Sequence, residues 1–421
     1  MSLFRSSPES SHSSQPLSEA VFDSSSARDA LPERHRIHFD ELRSGIFAFC
    51  KQFHIPIETL KSKEAFGVEL TSKRIPPERM AHAVSLFARL EHLVTHKELL
   101  KETLSEHLRE IEQLYHLTEQ YNTQVELLEQ VGILKDGAIT GIDGKNYPIP
   151  TLEQIASHLF EREKELSTKR DQGFTKLLLV PFGMSLDALR EIFKQFLLDY
   201  KKDHSDFDLY TNDPFHIWKG YKGADTGDPP KIVYNPKSFD SNHQGQTKAD
   251  ILKAQADNPE DSFPGWKVHL LQPSNLQDLE DNFTLSKGFA LIPRQSRGTT
   301  NGEKTSRPSL EEGKSPNEYL STLQEAQEDL DSPYHSESGL TPEDWILAFM
   351  THLTETGQPL DNYANGIESI ACLTGAFFLS IDGSTHVPCA FWNREDYRTV
   401  LASGGLNSRG SYIGVRSSVV I

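Results

Sequence analysis

The sequence predicts an α+β chain in which a helical, coiled-coil-patterned N-terminal region precedes a mixed domain of strands and capped helices. Three observations predict it. A seven-residue apolar repeat runs through residues 78–131. Near Gly173 the pattern changes to an apolar strand followed by a capped helix. The chain closes on a short β-branched run, IGVRSSVVI, at 413–421, which reads as a buried strand.

The chain has 421 residues, enough for two or three domains. Its hydrophobic share, 36%, is below the usual globular level, so part of it is expected to be solvated. A net charge of −18 argues against nucleic-acid binding, which needs a basic footprint. No run of 18 apolar residues exists, so no membrane span is expected. The first residues, MSLFRSSPESSHSS, lack an apolar core segment, so no secretory signal is expected and the default location is cytoplasmic. The three cysteines, Cys50, Cys372 and Cys389, are too few for a disulfide scaffold or a zinc ribbon. They read as buried thiols, with a Cys372–Cys389 bridge open in an oxidising compartment.

Residues 1–35 are Ser-rich and poor in large apolar groups, so they are expected to be disordered. Residues 36–170 read as helical. Within them, Pro76–Pro77 separates short helical segments from the long helix 78–131. One heptad series there holds Leu86, Leu93, Leu100, His107, Leu114, Tyr121 and Leu128; the second holds Leu90, Lys97, Leu104, Ile111, Thr118 and Val125. A sustained 3.5-residue repeat predicts a left-handed coiled coil. Self-association through this helix and packing on its own chain both fit the pattern. Gly132 is the expected stop. After the turn-rich 136–150, residues 151–169 resume as a helix with a Thr151/Gln154 capping box and a charged, solvated face.

Residues 171–421 read as the mixed domain. Strands are expected at 174–181, 231–234, 267–271, 288–292, 371–378 and 386–391, the last two joined by an Asp382-Gly383 turn. Ser185 caps a helix over 185–200. Residues 295–314 are polar and read as a mobile loop. Ser315-Pro-Asn-Glu318 and Thr341-Pro-Glu-Asp344 each start a helix with a hydroxyl cap, Pro at the first turn and an acid at the third position. The second should bury Trp345, Ile346, Phe349 and Leu353 on one face.

Between Trp392 and Tyr412 the chain is rich in Gly, Ser and Arg and has neither helical nor alternating periodicity. Small polar residues beside a terminal strand suggest a displayed loop on a fixed frame. After Asn393 there is no Lys, Gln, Met or Trp, and one Glu, Glu395.

Four segments carry a family resemblance: KLLLVPFGMSLDAL (176–189), NHQGQTKADIL (242–252), SPNEYLSTLQEA with GLTPEDWILAFMTHL (315–326 and 339–353), and CLTGAFF followed by the tail (372–421). Together they resemble the target (variable) proteins of diversity-generating retroelements. The resemblance covers the chain from Gly173 onward. It implies a C-type-lectin-like fold, of the type shared with formylglycine-generating enzymes, ending in a variable region at 392–421. In that family adenine-directed mutagenesis randomises mostly AAC codons, which cannot become Lys, Gln, Glu, Met or Trp codons. The tail composition is the one that process leaves, with Glu395 as the departure. The family pattern implies a fixed scaffold at Trp392, Gly414, Val415 and Arg416. It implies a diversified, ligand-contacting set at Asn393, Glu395, Tyr397, Thr399, Ser403, Gly404, Asn407, Ser408, Ser411 and Tyr412. The implied partner is an unknown protein or surface ligand; separately, the heptad pattern allows a homo-oligomer through the long helix.

No catalytic constellation competes with that reading. Gly245–Lys248 (GQTK) lacks the spacing of a phosphate-binding loop. His92 and His96 share a helical face, but no general base or third ligand accompanies them, so they read as solvated. No cofactor or metal is expected. Tyr397, Arg398, Arg409 and Tyr412, set among Ser, Gly and Asn, are typical of recognition surfaces. The other readings are an assembly protein built on the long helix, with an inert C-terminal domain, and an oxidase of the formylglycine-generating type using Cys372 and Cys389.

Overall fold

The computed structural model describes residues 33–61, 63–73, 114–258, 263–274, 287–293, 310–364, 368–379 and 385–421. It also describes the isolated positions 28, 31, 75, 90, 93, 94, 108, 111, 112, 307 and 308. Residues 1–27, most of the heptad repeat, His92, His96 and the Asp382-Gly383 turn lie outside the described residues.

The chain divides into two compact units, Met1–Glu106 and His107–Ile421. The first contains helices α1 (Glu33–Gln52) and α2 (Lys63–Ser72), with a 3-10 turn at Ile57–Lys61 between them. Its core gathers Phe39, Ile46, Phe49, Leu60, Phe66 and Leu70.

The second unit is mixed α+β. It begins before the expected boundary at 170/171, because residues 107–170 share its main core through Ile111, Leu128, Ile155 and Leu166. Helix α3 (Leu117–Gln130) is the described end of the predicted long helix. That helix is interrupted: His116 adopts φ 50°, a left-handed conformation that ends one helical stretch and starts the next. Gly132 stops α3 with φ 77°, as expected. The heptad residues Ile111, Leu114, Tyr121, Val125 and Leu128 pack into the core of their own unit, and two buried polar side chains of α3 join them. Gln120 and Gln124 accept the N–H groups of Leu177 and Leu179, each at 2.8 Å, and so fasten α3 along a strand edge.

A hairpin, β1 (Ala138–Thr140) and β2 (Asn146–Pro148), interrupts the helical region. Helices α4 (Leu152–Glu161) and α5 (Glu163–Asp171) follow, with the Thr151/Gln154 capping box in place and a break at Arg162. The charged face of α5 is not wholly solvated. Lys169 is buried and meets Glu337 at 2.8 Å. Arg307 reaches the same carboxylate at 2.7 Å, so part of the expected polar loop 295–314 is packed inside.

The remaining elements are β3 (Lys176–Val180), α6 (Leu186–Asp203), β4 (Phe215–Ile217), β5 (Ile232–Tyr234), α7 (Lys248–Asp257), β6 (Lys267–Leu271), α8 (Pro316–Glu328), β7 (Glu337–Gly339) and α9 (Pro342–Thr356). They continue with β8 (Asn362–Tyr363), β9 (Ile370–Cys372), β10 (Ala376–Leu379), β11 (Thr385–Asn393), β12 (Arg398–Gly405), β13 (Ile413–Val415) and β14 (Ser417–Val420). One sheet has the order β3-β6-β14-β7. The larger sheet runs β13-β9-β11-β10-β5, with β12 and β8 also on β11 and β4 on β12.

Three strand expectations change. Phe289 forms only a single bridge, to Pro273. No strand forms at 288–292 because neighbouring N–H groups are taken by side chains, Gly288 to Glu355 (2.6 Å) and Phe289 to His352 (2.9 Å). The strand expected at 371–378 splits into β9 and β10, both paired with β11. The terminal run 413–421 is two strands in different sheets, with Arg416 between them.

Helix α9 packs against β3, β11 and α6. Every residue from Pro342 to Leu353 is buried, so its burial is not confined to the expected face. The polar ones must therefore be satisfied internally. Glu343 accepts the Tyr234 hydroxyl (2.7 Å) and pairs with Lys248 (2.8 Å). Lys248 also meets Asp225 at 2.6 Å and donates to the Met184 carbonyl at 2.7 Å. Asp225 in turn accepts the first N–H of α6, at Leu186 (2.8 Å). Burial opposes the Lys248 charge, but Glu343 and Asp225 outweigh it and hold the ammonium above its ordinary range. Asp344 caps α9 and faces His269 at 3.2 Å; burial notwithstanding, His269 and Lys267 hold its carboxyl well below the usual range.

Two stability predictions follow from these buried charges. Replacing Lys248 with Met leaves Asp225 and Glu343 buried without their cation. It should cost about 3–5 kcal/mol in urea denaturation. His352 accepts the Phe289 N–H through Nδ1, which requires a neutral ring; burial, then Arg416 and Lys176, lower its pKa to about 4. The unfolded chain therefore takes up a proton near 6.5 that the folded chain refuses. The contribution of His352 is complete above about pH 6.5 and declines towards pH 4, by about 3 kcal/mol in all. His352→Gln should remove that part of the acid destabilisation, read as the difference between the two stability–pH curves.

Candidate functional site

The predicted tail is built on a hairpin. Strands β11 and β12 pair from His386↔Gly405 to Asn393↔Arg398. Residues 394–397 form the turn. Asn393 organises it: its side-chain oxygen accepts the N–H of Glu395 (3.0 Å), and its amide donates to Asp396 (2.9 Å). Tyr397 takes φ 52°. Its carbonyl accepts the Tyr210 N–H at 2.8 Å, and Arg398 pairs with Asp213 at 2.7 Å and Asp396 at 3.0 Å. The turn is thus fastened to residues 210–214 on its far side.

Strand alternation separates the candidates. Trp392, Thr399 and Leu401 face the core. Thr399 is fully buried, with both its N–H and its hydroxyl bonded to the Pro214 carbonyl. It cannot belong to an exposed, diversified set; its assignment came from reading the strand as a loop. Ser403 and Gly404 are half-buried within β12. A Cβ at Gly404 would approach the Cys389 sulfur to 3.1 Å.

Two of the predicted scaffold residues, Arg416 and Trp392, meet at Asp361. Arg416 is buried and reaches Asp361 at 2.7 Å, while it also donates to the Ala290 carbonyl. Asp361 accepts the Trp345 indole N–H at 2.8 Å, and its backbone carbonyl accepts the Trp392 N–H at 3.0 Å. Gly414 and Val415 are buried in β13. A Cβ at Gly414 would overlap Ile292 at 2.3 Å, so that position needs glycine for close approach.

Residues 406–412 return from β12 to β13 along the start of α8. Asn407 accepts the Asn317 amide at 2.8 Å, and Arg409 pairs with Glu318 at 2.5 Å. Ser408, Ser411 and Tyr412 are exposed. The Tyr412 ring lies 5.5 Å from Tyr363, which meets Phe391 edge-on at 5.5 Å. Burial, then Tyr412 and Glu395, raise the Tyr363 phenol above its ordinary range. Tyr363 therefore sits between two predicted residues from opposite ends of the tail. Its role was not legible in the sequence, because it lies about 30 residues before the tail and is placed only by the parallel pairing of β8 with β11.

No family model matches this chain, and no curated protein or solved structure matches it.

Cys50, Cys372 and Cys389 are free and buried. Cys372 and Cys389 are direct cross-strand partners, and the hydrogen bond between their thiols, with burial, pushes Cys372 far from the thiolate form that redox or metal chemistry needs. Among the described residues no group of three or more His, Cys, Asp or Glu is placed to hold a metal, and no helix is long and apolar enough to cross a membrane.

Burial divides the tail into tolerant and intolerant positions. Thr399→Lys should lower stability by more than about 2 kcal/mol, because it buries an unpaired charge. Ser408→Lys and Ser411→Lys should stay within about 0.5 kcal/mol of the parent in thermal denaturation.

Proposed function

We propose that this chain is a non-enzymatic ligand-binding protein whose C-terminal domain is C-type-lectin-like and displays a surface diversified by a retroelement. The observation that carries the reading is the contrast between side chains and backbone in 392–421. Glu395, Tyr397, Asn407, Ser408, Ser411 and Tyr412 are exposed, while Trp392, Gly414, Val415 and Arg416 are buried beneath them. Ligand contacts made from such a frame lose little affinity to ordering the loop. Aromatic and adaptable polar groups then supply contact area and hydrogen bonds.

The diversified set is Asn393, Glu395, Tyr397, Ser403, Gly404, Asn407, Ser408, Ser411 and Tyr412, without Thr399. Half-buried Ser403 and Gly404 accept only small substituents. Asn393 trades the turn's hydrogen bonds for variety. Oligomerisation through the heptads of the N-terminal helical region would multiply weak single-site binding. The ligand is a protein or a surface group with no single fixed identity.

Sequencing tests this. Sibling copies should carry a neighbouring reverse transcriptase and a template repeat matching the DNA for 392–421. Differences should fall at template adenines and at the exposed codons named here. Variation spread through the rest of the chain, with an invariant tail, would refute the reading.

A further inference from the structure

A cleft at the base of the hairpin has the make-up of a second kind of site. Two helices end beside it. After α6, the Phe207 N–H turns back onto the His204 carbonyl at 3.0 Å. Helix α9 ends at Gly357, φ 71°, with no basic residue in its last turn. The end of β11 and the 394–397 turn close the third side. The cleft is open to solvent and has a volume of about 330 Å³, at the small end of ligand cavities.

One wall is aromatic. His204 stacks on Tyr200 at 4.0 Å and 13°, Tyr200 meets Phe207 edge-on at 5.1 Å, and Phe207 lies 5.3 Å from Trp392. Tyr397 also lines the cleft and is exposed. The formally charged lining is Asp206, Asp208 and Arg394, two carboxylates against one guanidinium. The carbonyl end of α9 carries partial negative charge. Asp206 and Asp208 bring exposed carboxylates to the rim. Burial and the Asp206 charge together raise the Tyr200 phenol, which sets that charge beside the aromatic wall. Of the nearby cations, Arg394 lines the cleft itself, held by Asn362 and Glu368, and the two lysines are engaged elsewhere. Arg394 bonds Asn362 (2.9 Å) and faces Glu368 (3.8 Å), Lys201 donates to the Ser205 carbonyl (2.7 Å), and Lys202 pairs with Asp199 (3.0 Å).

Aromatic faces attract cations through their quadrupoles, and carboxylates with a helix carboxyl end add to the attraction. We propose that this cleft binds an organic cation, an alkylguanidinium or alkylammonium group held against the Tyr200–Phe207–Trp392 wall with Asp206 and Asp208 as counter-charges. The group belongs either to a free small molecule or to an Arg or Lys side chain of a peptide. Tyr200, Phe207, Asp206 and Asp208 lie outside 392–421, so a tail that proves invariant among sibling copies leaves this inference standing.

Calorimetric titration of the full chain with butylguanidinium and with its neutral isostere butylurea tests it. The cation should bind at least tenfold more tightly than the urea. The double variant Asp206→Asn/Asp208→Asn should weaken the cation at least tenfold with an unchanged thermal midpoint, and the single variants serve if the double variant does not fold. An end-blocked Gly-Arg-Gly peptide that binds more tightly than butylguanidinium assigns the site to a peptide side chain; weaker binding assigns it to a free small molecule. Equal binding of cation and urea, no heat at millimolar cation, or full affinity in the folded Asn variants would overturn the proposal.

Discussion

The charge on Lys248 is the constraint around which the second unit is arranged. A fully buried ammonium requires two carboxylates and a carbonyl within hydrogen-bonding reach. Meeting that requirement ties α7 to α9 through Glu343, to the start of α6 through Asp225, and to β5 through Tyr234. Apolar contacts tolerate sliding; a buried ion set does not. The network therefore fixes the register in which α9 lies against its neighbours, and α9 is the helix on which β3 and β11 both rest. The hairpin inherits its position from that helix.

The same logic is repeated closer to the tail. Asp361 collects Trp345 of α9, Trp392 of β11 and Arg416 between the last strands. Asp361 thus holds both ends of the tail against the core helix, through its carboxylate to Trp345 and Arg416 and its backbone carbonyl to Trp392. The exposed Ser408, Ser411 and Tyr412 take no part in this junction.

Much of the secondary structure was legible because it is encoded locally. Thr151, Ser185, Ser315 and Thr341 accept the predicted cap hydrogen bonds. Strands β3 and β6 match their apolar runs. What was not legible depends on distant partners. The helix α7 has a Thr247/Asp250 capping box, yet its GQTK start drew attention only as a failed phosphate loop. Lys248 and Lys169 look like surface lysines until Glu343 and Glu337 are placed beside them. The heptad pattern gave no warning of the left-handed turn at His116, since that residue lies between the two apolar series. In the tail, Ser, Gly and Arg masked an eight-residue strand whose pairing with β11 overrides its poor strand propensity. Thr399 was misplaced for that reason, and Tyr363 was missed because its place beside Tyr412 is set by tertiary pairing.

The insertion of β14 between β6 and β7 also orders events during synthesis. Residues 417–420 supply an interior strand of a sheet whose first strand begins at Lys176, so some 240 residues must emerge before that sheet can close. Until then β6 and β7 have no shared neighbour, and Glu337, Lys169 and Arg307 lack the Ser417 hydroxyl that completes their cluster. Pairing over such separations is slow, and an unfilled gap in a sheet is a template for another chain's strand. Residues 417–420 therefore act as a late wedge that closes this sheet around β6 and β7.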